Sequence, residues 1–287
     1  MPLHGKRLAI IGAGKMGQAL LGGLVSAQLL PPESIVVTDV RPEARQEAKR
    51  KWGVAASADN GYAVERSDVV MLCVKPQTSG KVLAELAPNI RRDHLVVSIM
   101  AGIPTDLIVE HLGQPVAVVR AMPNIAALVG EAVTAIAGGR HASREDLRVA
   151  QAIFGAVGKV EVVDESLMDA VTGLSGSGPA FVYTIIEALT EGGVMMGLSR
   201  EVSARLAAQT VLGAAKMVRE TRLHPAILRD QVTTPAGTAI AGVYSLESDG
   251  LRPMLINAVR QATKRSGELS QMLQSQVQNG TRKEEAA

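Results

Sequence analysis

Residues 12–17 read Gly-Ala-Gly-Lys-Met-Gly, directly after the apolar run Leu8–Ile11 and at the entry to a helix-forming stretch, Met16–Leu30. Each glycine at this spacing has its own task between a strand and a helix. The first permits a tight turn, the second lets a pyrophosphate approach the backbone, and the third lets helix and strand pack. A diphosphate lying there meets unpaired N–H groups at the helix start. The pattern gains its force from its place, the first strand-turn-helix of an alternating series. Up to about residue 163, β-branched runs recur at Arg7–Ile11, Ile35–Asp39, Asp68–Val74, Leu95–Ile99, Val116–Val119, Val133–Ala137 and Val160–Val163, with helical stretches such as Pro42–Trp52 between the early ones. Strands alternating with helices imply a mostly parallel, doubly wound α/β sheet of Rossmann type. Residues 1–164 are therefore expected to form a dinucleotide-binding domain.

Beyond Asp164 the β-branched runs stop, and Ala, Leu, Gly and Met recur at helical spacing: Phe181, Ile185, Ala188 and Leu189, then Leu206, Ala207, Val211, Ala214 and Met217. Helix starts are expected at Pro179, after Ser199, and at Pro225, because proline in the first helical turn gives up no needed hydrogen bond. Residues 165–274 should form an all-helical domain for substrate binding and dimerisation. Small residues such as Gly192, Gly193, Ala207 and Ala208 suit helices that interlock between two chains, and a self-contained bundle is the other reading. The polar residues 275–287 lack periodicity and are expected to be a disordered tail.

Composition narrows the function classes. A formal charge of +2 with 2% aromatic residues gives neither the basic footprint nor the stacking rings of a nucleic-acid binder. The single cysteine, Cys73, lies in the apolar run Val69–Val74 and reads as a buried small residue. Five histidines at positions 4, 94, 111, 141 and 224 share no helical face, so no metal is expected. The N-terminal apolar run is too short for a signal-peptide core or a membrane span, and the cytoplasm is the expected location.

The cofactor candidates follow the strand ends. Gly12, Gly14, Lys15, Met16 and Gly17 form the glycine loop. At the end of the second run stand Thr38, Asp39 and Arg41. A carboxylate there suits the ribose hydroxyls of NADH, and an arginine with a hydroxyl suits the 2′-phosphate of NADPH, so both cofactors stay open. Val74 and Lys75 end the next strand, where ligands of open α/β sheets sit. Two loops of the helical half collect hydroxyls at helix starts: Thr172 to Ala180, which contains Ser177, and Thr233 to Thr238. Such ends favour anions, a substrate carboxylate among them, although helix capping by Ser and Thr would use the same residues.

The order of these segments resembles the pyrroline-5-carboxylate reductase family over nearly the whole chain. The residues that carry the resemblance are Ile11 to Met16, Val74-Lys75-Pro76-Gln77, Ser98 to Gly102, Arg120-Ala-Met-Pro-Asn124, Asp169 to Ala180, His224-Pro225 and Gln231 to Gly242. The resemblance implies NADPH or NADH as cofactor, pyrroline-5-carboxylate and proline as substrate and product, and a dimer whose chains share each active site. It adds Asn60, Ala101 and Asn124 to the cofactor residues. It places Ser177, Thr234, Gly237 and Thr238 at the substrate, with Thr238 as the catalytic candidate. One position departs from the family pattern: Ala239 stands where a second threonine is usual. Reduction of a protonated imine needs alignment and a fixed carboxylate more than it needs an acid side chain. A hydroxyacid dehydrogenase of similar build would instead offer a lysine on the first helix of the second domain, and Pro179 to Met196 contains none.

Overall fold

The computed structural model describes residues 2–284, with side chains as far as Ser275. The chain divides into two compact units. One comprises the residues up to Gly176 together with those from Gln261 onward, and the other is Ser177–Arg260. The stretch 165–176, expected to open the helical domain, thus groups with the sheet.

The first unit is built on eight strands, β1 Leu8–Ile11, β2 Ile35–Thr38, β3 Ala55–Ser57, β4 Val69–Leu72, β5 Leu95–Ser98, β6 Ala117–Met122, β7 Ala132–Gly138 and β8 Gly158–Val162. They lie in the order β3-β2-β1-β4-β5-β6-β7-β8. All neighbours are parallel except β6 and β7, which run antiparallel. The central strands are buried on both faces, which explains their unbroken apolar runs. Alternate residues divide between two cores. Leu8, Ile10, Val69, Met71, Leu95 and Val97 face one, and Ala9, Ile11, Val70, Leu72 and Val96 face the other. Helices α1 Lys15–Ser26 and α2 Pro42–Trp52 cover the first face, through residues such as Leu20, Leu24 and Ala48. Next come α3 Asn60–Glu65, α4 Ser79–Leu86 and α5 Thr105–Leu112, which cover the second through Val64, Leu83 and Ile108. Helix α6 Arg144–Gly155 returns to the first face with Val149 and Ile153. Each fully buried Leu, Ile or Val stabilises this packing by roughly 1.5–3 kcal/mol. Helix α1 ends before Leu30 because Gln28 adopts φ 53, a left-handed conformation that stops the helix.

After β8 the chain forms the short α7 Met168–Val171 and a π-turn at Thr172–Gly176. The second unit is helical: α8 Gly178–Met195, α9 Arg200–Thr221, α10 Pro225–Val232 and α11 Thr238–Ser248, followed by the start of α12 Leu251–Glu284. Its helix starts are those the sequence marks. Proline occupies the first turn of α8 and α10, and the Ser199 side chain caps α9 by accepting from Val202 N–H. Helix α12 continues to Glu284, through most of the stretch expected to be disordered, and residues 285–287 lie outside the described residues.

Candidate functional site

The glycine loop turns from β1 into α1. Gly12 has φ 106, and a Cβ there would lie 2.7 Å from the Cys73 carbonyl oxygen, so only glycine fits beside the end of β4. A Cβ on Gly17 would lie 2.2 Å from the Gly12 carbonyl oxygen. A Cβ on Gly14, in contrast, would find nothing within 4 Å. The loop is therefore packed from behind at Gly12 and Gly17 and open at Gly14. Gly14 is also the N-cap of α1, with no side chain closing the helix start. The N–H groups of Lys15, Met16 and Gly17 begin a twelve-residue helix there and have no acceptor within it. An open glycine in front of an uncapped helix fits the pyrophosphate of a dinucleotide.

The remaining cofactor candidates of this unit gather at the carboxyl ends of the parallel strands. Asp39 and Arg41 follow β2, Asn60 opens α3 after β3, Val74 and Lys75 follow β4, Ala101 follows β5, and Asn124 follows β6. This is the edge at which open α/β sheets bind ligands, with the reversal of strand order between β1 and β4. Thr38 is buried, and its hydroxyl donates to Asn60 Oδ1 at 2.6 Å, so the phosphate part of the sequence reading falls to Arg41. Asn60 in turn donates from Nδ2 to Glu85 at 2.7 Å. The Asp39 carboxylate accepts the Ala13 N–H at 3.0 Å and the Arg41 guanidinium at 3.1 Å, which ties the glycine loop to β2. Burial acts to raise its pKa, and the bonds from Arg41 and Ala13 outweigh it, holding the carboxyl below its ordinary value. Asn124 accepts from Ala126 N–H and donates to the Ser175 carbonyl at 3.2 Å, fastening the turn after β6 to the π-turn. Cys73 is partly buried, and desolvation pushes its thiol up to about 12, so it is no thiolate.

In the helical unit the substrate candidates lie at two helix starts. Ser177 is the N-cap of α8, and its side chain makes no capping bond. Thr234 to Gly237 form the turn into α11, closed by the Gly237 N–H donating to the Thr234 carbonyl at 3.0 Å. Ala236 is held at φ 56, a left-handed conformation that costs an L-residue about 1–2 kcal/mol. Helix α11 begins at Thr238 with no side-chain cap, and Thr238 is exposed while Ala239 is half-buried. The capping alternative for these hydroxyls finds no hydrogen bond at either start. The start of α11, entered from an extended Gly237, is left able to receive an anion, whereas α8 continues from the π-turn through Ser177 at φ −83, ψ −23.

Two family models match the chain: one described as pyrroline-5-carboxylate reductase dimerisation, over residues 165–269, and one described as NADP oxidoreductase coenzyme F420-dependent, over residues 7–102. The chain is 49% identical over 267 residues to a pyrroline-5-carboxylate reductase of Methanosarcina acetivorans, covering 93% of this chain and 99% of that one. The chain belongs to the pyrroline-5-carboxylate reductase family. Members known by structure agree with the fold. A pyrroline-5-carboxylate reductase of Coxiella burnetii superposes with a TM-score of 0.88 at 36% identity, over 92% of this chain and 98% of that one. A pyrroline carboxylate reductase of Plasmodium falciparum, solved with NADP bound, gives 0.82 at 30% identity over 93% and 98%.

Arg45 and Glu85 escaped the sequence reading of this family member, and Asp169 figured in it only as the first residue of the segment Asp169 to Ala180, with no contact of its own. Arg45 donates from Nη1 to the Asp39 carbonyl at 2.6 Å and to that of Val40 at 3.1 Å, adding a second cation to the turn after β2. Its spacing from Arg41 at the start of α2 could have revealed it. Glu85 reaches Asn60 across a sequence gap that no local pattern spans. Asp169 accepts hydroxyl bonds from Ser266 at 2.7 Å and Ser270 at 3.1 Å, fixing α7 to α12. Among the described residues, no cluster of His, Cys, Asp and Glu could hold a metal, and no helix is long and apolar enough to cross a membrane.

Proposed function

We propose that the chain transfers a hydride from a reduced nicotinamide dinucleotide to the C=N bond of pyrroline-5-carboxylate, producing proline. The observation that carries the reading is the start of α11: an uncapped helix end bearing the Thr238 hydroxyl and no acidic or basic side chain from Thr233 to Ala239. That arrangement suits a substrate whose carboxylate must be held and whose reacting nitrogen already carries its proton. A ketone would call for a proton donor to the developing alkoxide. Membership of the family over nearly the whole chain supports the same chemistry.

The cofactor supplies the hydride, and the acceptor is the ring carbon of the imine. In this reading Gly14, Lys15, Met16 and Gly17 hold the pyrophosphate at the start of α1, while Gly12, whose N–H donates to the Thr38 carbonyl at 2.8 Å, shapes the turn behind them. Asp39, Arg41, Asn60, Val74 and Lys75 line the adenosine side, with Thr38 behind Asn60, and Ala101 and Asn124 border the nicotinamide side. Ser177, Thr234, Gly237 and Thr238 hold the substrate. Thr238 lies one residue before Ala239, a rotation of about 100° on a helix, so its hydroxyl is not a simple replacement for a threonine at Ala239. Its role is to bond the carboxylate or a water rather than to act as an acid. The same reading includes self-association through the helical unit, work in the cytoplasm, and no nucleic-acid partner, the last resting on the near-neutral charge and scarcity of aromatic rings.

The test follows absorbance of NADPH and NADH with pyrroline-5-carboxylate, beside a 3-hydroxy acid with the oxidised cofactors. Oxidation by the imine and none of the hydroxy acid is expected; the reverse result rejects the reading. A hydrogen bond to a charged group is worth roughly 1.5–3 kcal/mol, so Thr238→Ala should lower kcat/KM by about 10- to 150-fold. An unaffected Thr238→Ala enzyme beside a much faster Ala239→Thr enzyme would reduce Thr238 to a helix cap.

A further inference from the structure

The loop after β5, residues 99–104, reads Ile-Met-Ala-Gly-Ile-Pro and has no charge, hydroxyl or amide side chain with which to fix itself. Met100 and Ile103 are buried in the second core, and Ala101 between them is half-buried at the carboxyl edge of the sheet. The loop ends on Pro104, which is the N-cap of α5 and offers the helix start no side-chain acceptor. The acceptor comes from 60 residues further along the chain. Glu165 Oε1 accepts the Thr105 N–H at 2.8 Å, and Oε2 accepts the Thr105 hydroxyl at 2.6 Å. A carboxylate so placed answers both an unpaired N–H group and the positive end of the helix. Arg120 of β6, whose side chain is only 9% exposed, donates from Nη1 to Glu165 Oε1 at 3.4 Å. The joint is closely packed: Thr105 is buried, and a Cβ on Gly139 would lie 2.7 Å from its hydroxyl.

The same loop is held at Gly102, which has φ 77. A Cβ there would lie 3.1 Å from Ser270 Cα and 3.3 Å from Leu273 Cδ1 of α12, and the Ser270 hydroxyl donates to Asp169. Glu165 and Asp169 thus grip one loop from one short segment, the first directly and the second through α12. That segment runs on into the π-turn, whose Ser175 carbonyl receives Asn124. We propose that Glu165, paired with Arg120, is a positioning residue for hydride transfer, fixing the loop that carries Ala101. The role rests on the dinucleotide reading above, in which Ala101 borders the nicotinamide side, and supplies what holds that border. Hydride transfer requires donor and acceptor to be aligned closely, and a displacement of about 1 Å can cost about 100-fold in rate. Glu165 acts here through Thr105 and the loop, not through the reacting atoms.

Glu165→Gln keeps an oxygen for the Thr105 N–H and removes the charge opposite Arg120. Thr105→Val keeps the ion pair and removes the hydroxyl bond, which Thr105→Ser restores. On the full-length chain, kcat with pyrroline-5-carboxylate is measured beside calorimetric affinities for NADP⁺ and for adenosine 2′,5′-bisphosphate, which lacks the nicotinamide half. Glu165→Gln and Thr105→Val should each lower kcat by about 10- to 100-fold. They should weaken NADP⁺ relative to the bisphosphate by roughly 3- to 10-fold, the worth of about one neutral hydrogen bond. Binding of the bisphosphate itself should stay within about 2-fold, and Thr105→Ser should recover most of the loss. A joint that only stabilised the fold would lower the thermal midpoint and leave kcat and the affinity ratio at their starting values, or weaken both ligands alike; either result overturns the proposal. The titrations contain no imine. Failure of the proposed reaction would appear as missing turnover in the unaltered chain, with the shift in affinity ratio intact.

Discussion

Glycine at residues 14 and 17 looks equivalent in sequence and is not so in space. Gly17 abuts the Gly12 carbonyl, whereas Gly14 faces open space in front of α1. Gly14→Ala should therefore leave the stability within about 1 kcal/mol, the cost of a poorer N-cap. It should raise the cofactor KM by about 10-fold or more, since a methyl group there weakens charge-assisted bonds worth roughly 1.5–3 kcal/mol each. Gly17→Ala forces the loop off the helix, an overpacking that costs about 1–3 kcal/mol, and should lower both thermal midpoint and cofactor affinity. Equal loss of stability in the two variants would mean that Gly14 is a structural turn and not the pyrophosphate seat. The sequence made this loop legible because its spacing is tied to backbone geometry. The partnership of Asp39 with Arg41 was not legible, since residues two apart in a turn can point toward each other or toward a ligand, and only the fold brings the Ala13 N–H to the same carboxylate.

At the scale of elements, the strands were readable wherever burial on both faces demands an apolar run, as in β1, β4 and β5. β3, Ala55–Ser57, contains no β-branched residue and is partly exposed; it exists because it pairs with β2, a contact no local pattern announces. The reversed direction of β7 was equally hidden, because alternation of side chains is the same in either sense. Asp169 belongs to this class of long-range contacts. It takes two hydroxyl donors from α12, and Ser270 also lies where a Cβ on Gly102, the neighbour of Ala101, would come within 3.1 Å of its Cα. The half-buried carboxylate thus joins α7, the helix before the π-turn, to a helix that rests on the loop after β5. Asp169→Ala should cost about 1–2 kcal/mol, at the lower end for bonds to a charged group because the site is partly wet. The cleaner measurement is a double-mutant cycle with Ser266→Ala in urea unfolding, where a coupling of about 0.5–1.5 kcal/mol is expected. Strict additivity would show that the serines bond elsewhere in solution.

At the scale of the whole molecule, the helical unit poses a problem of burial. Within Ser177–Arg260 only Thr190, Ser203 and Ala207 are buried, and two of these are polar. Large apolar side chains such as Met195, Tyr244 and Ile256 are 78%, 74% and 69% exposed in the single chain. Helices gain their stability in water mainly by covering an apolar face, and α8 to α11 leave theirs uncovered. The match of residues 165–269 to a dimerisation domain supplies the cover: a second copy of the chain. This decides between the two readings the small residues left open, since a self-contained bundle would bury its own Leu and Met. An obligate interface of this kind removes roughly 2,000–5,000 Å² from water and often has no stable folded monomer behind it. The thermal midpoint should then rise with protein concentration, because dilution feeds the unfolded chain by mass action. Tyr244→Glu and Ile256→Glu, which put a charge on surfaces that the single chain leaves apolar, should lower that midpoint and shift sedimentation from the assembled species toward smaller or aggregated ones. The same substitutions in a chain that is stable as a monomer would change the midpoint by less than about 0.5 kcal/mol of stability, as exposed substitutions ordinarily do. A midpoint independent of concentration, with a monomer retaining full helicity on dilution, would therefore count against the shared core.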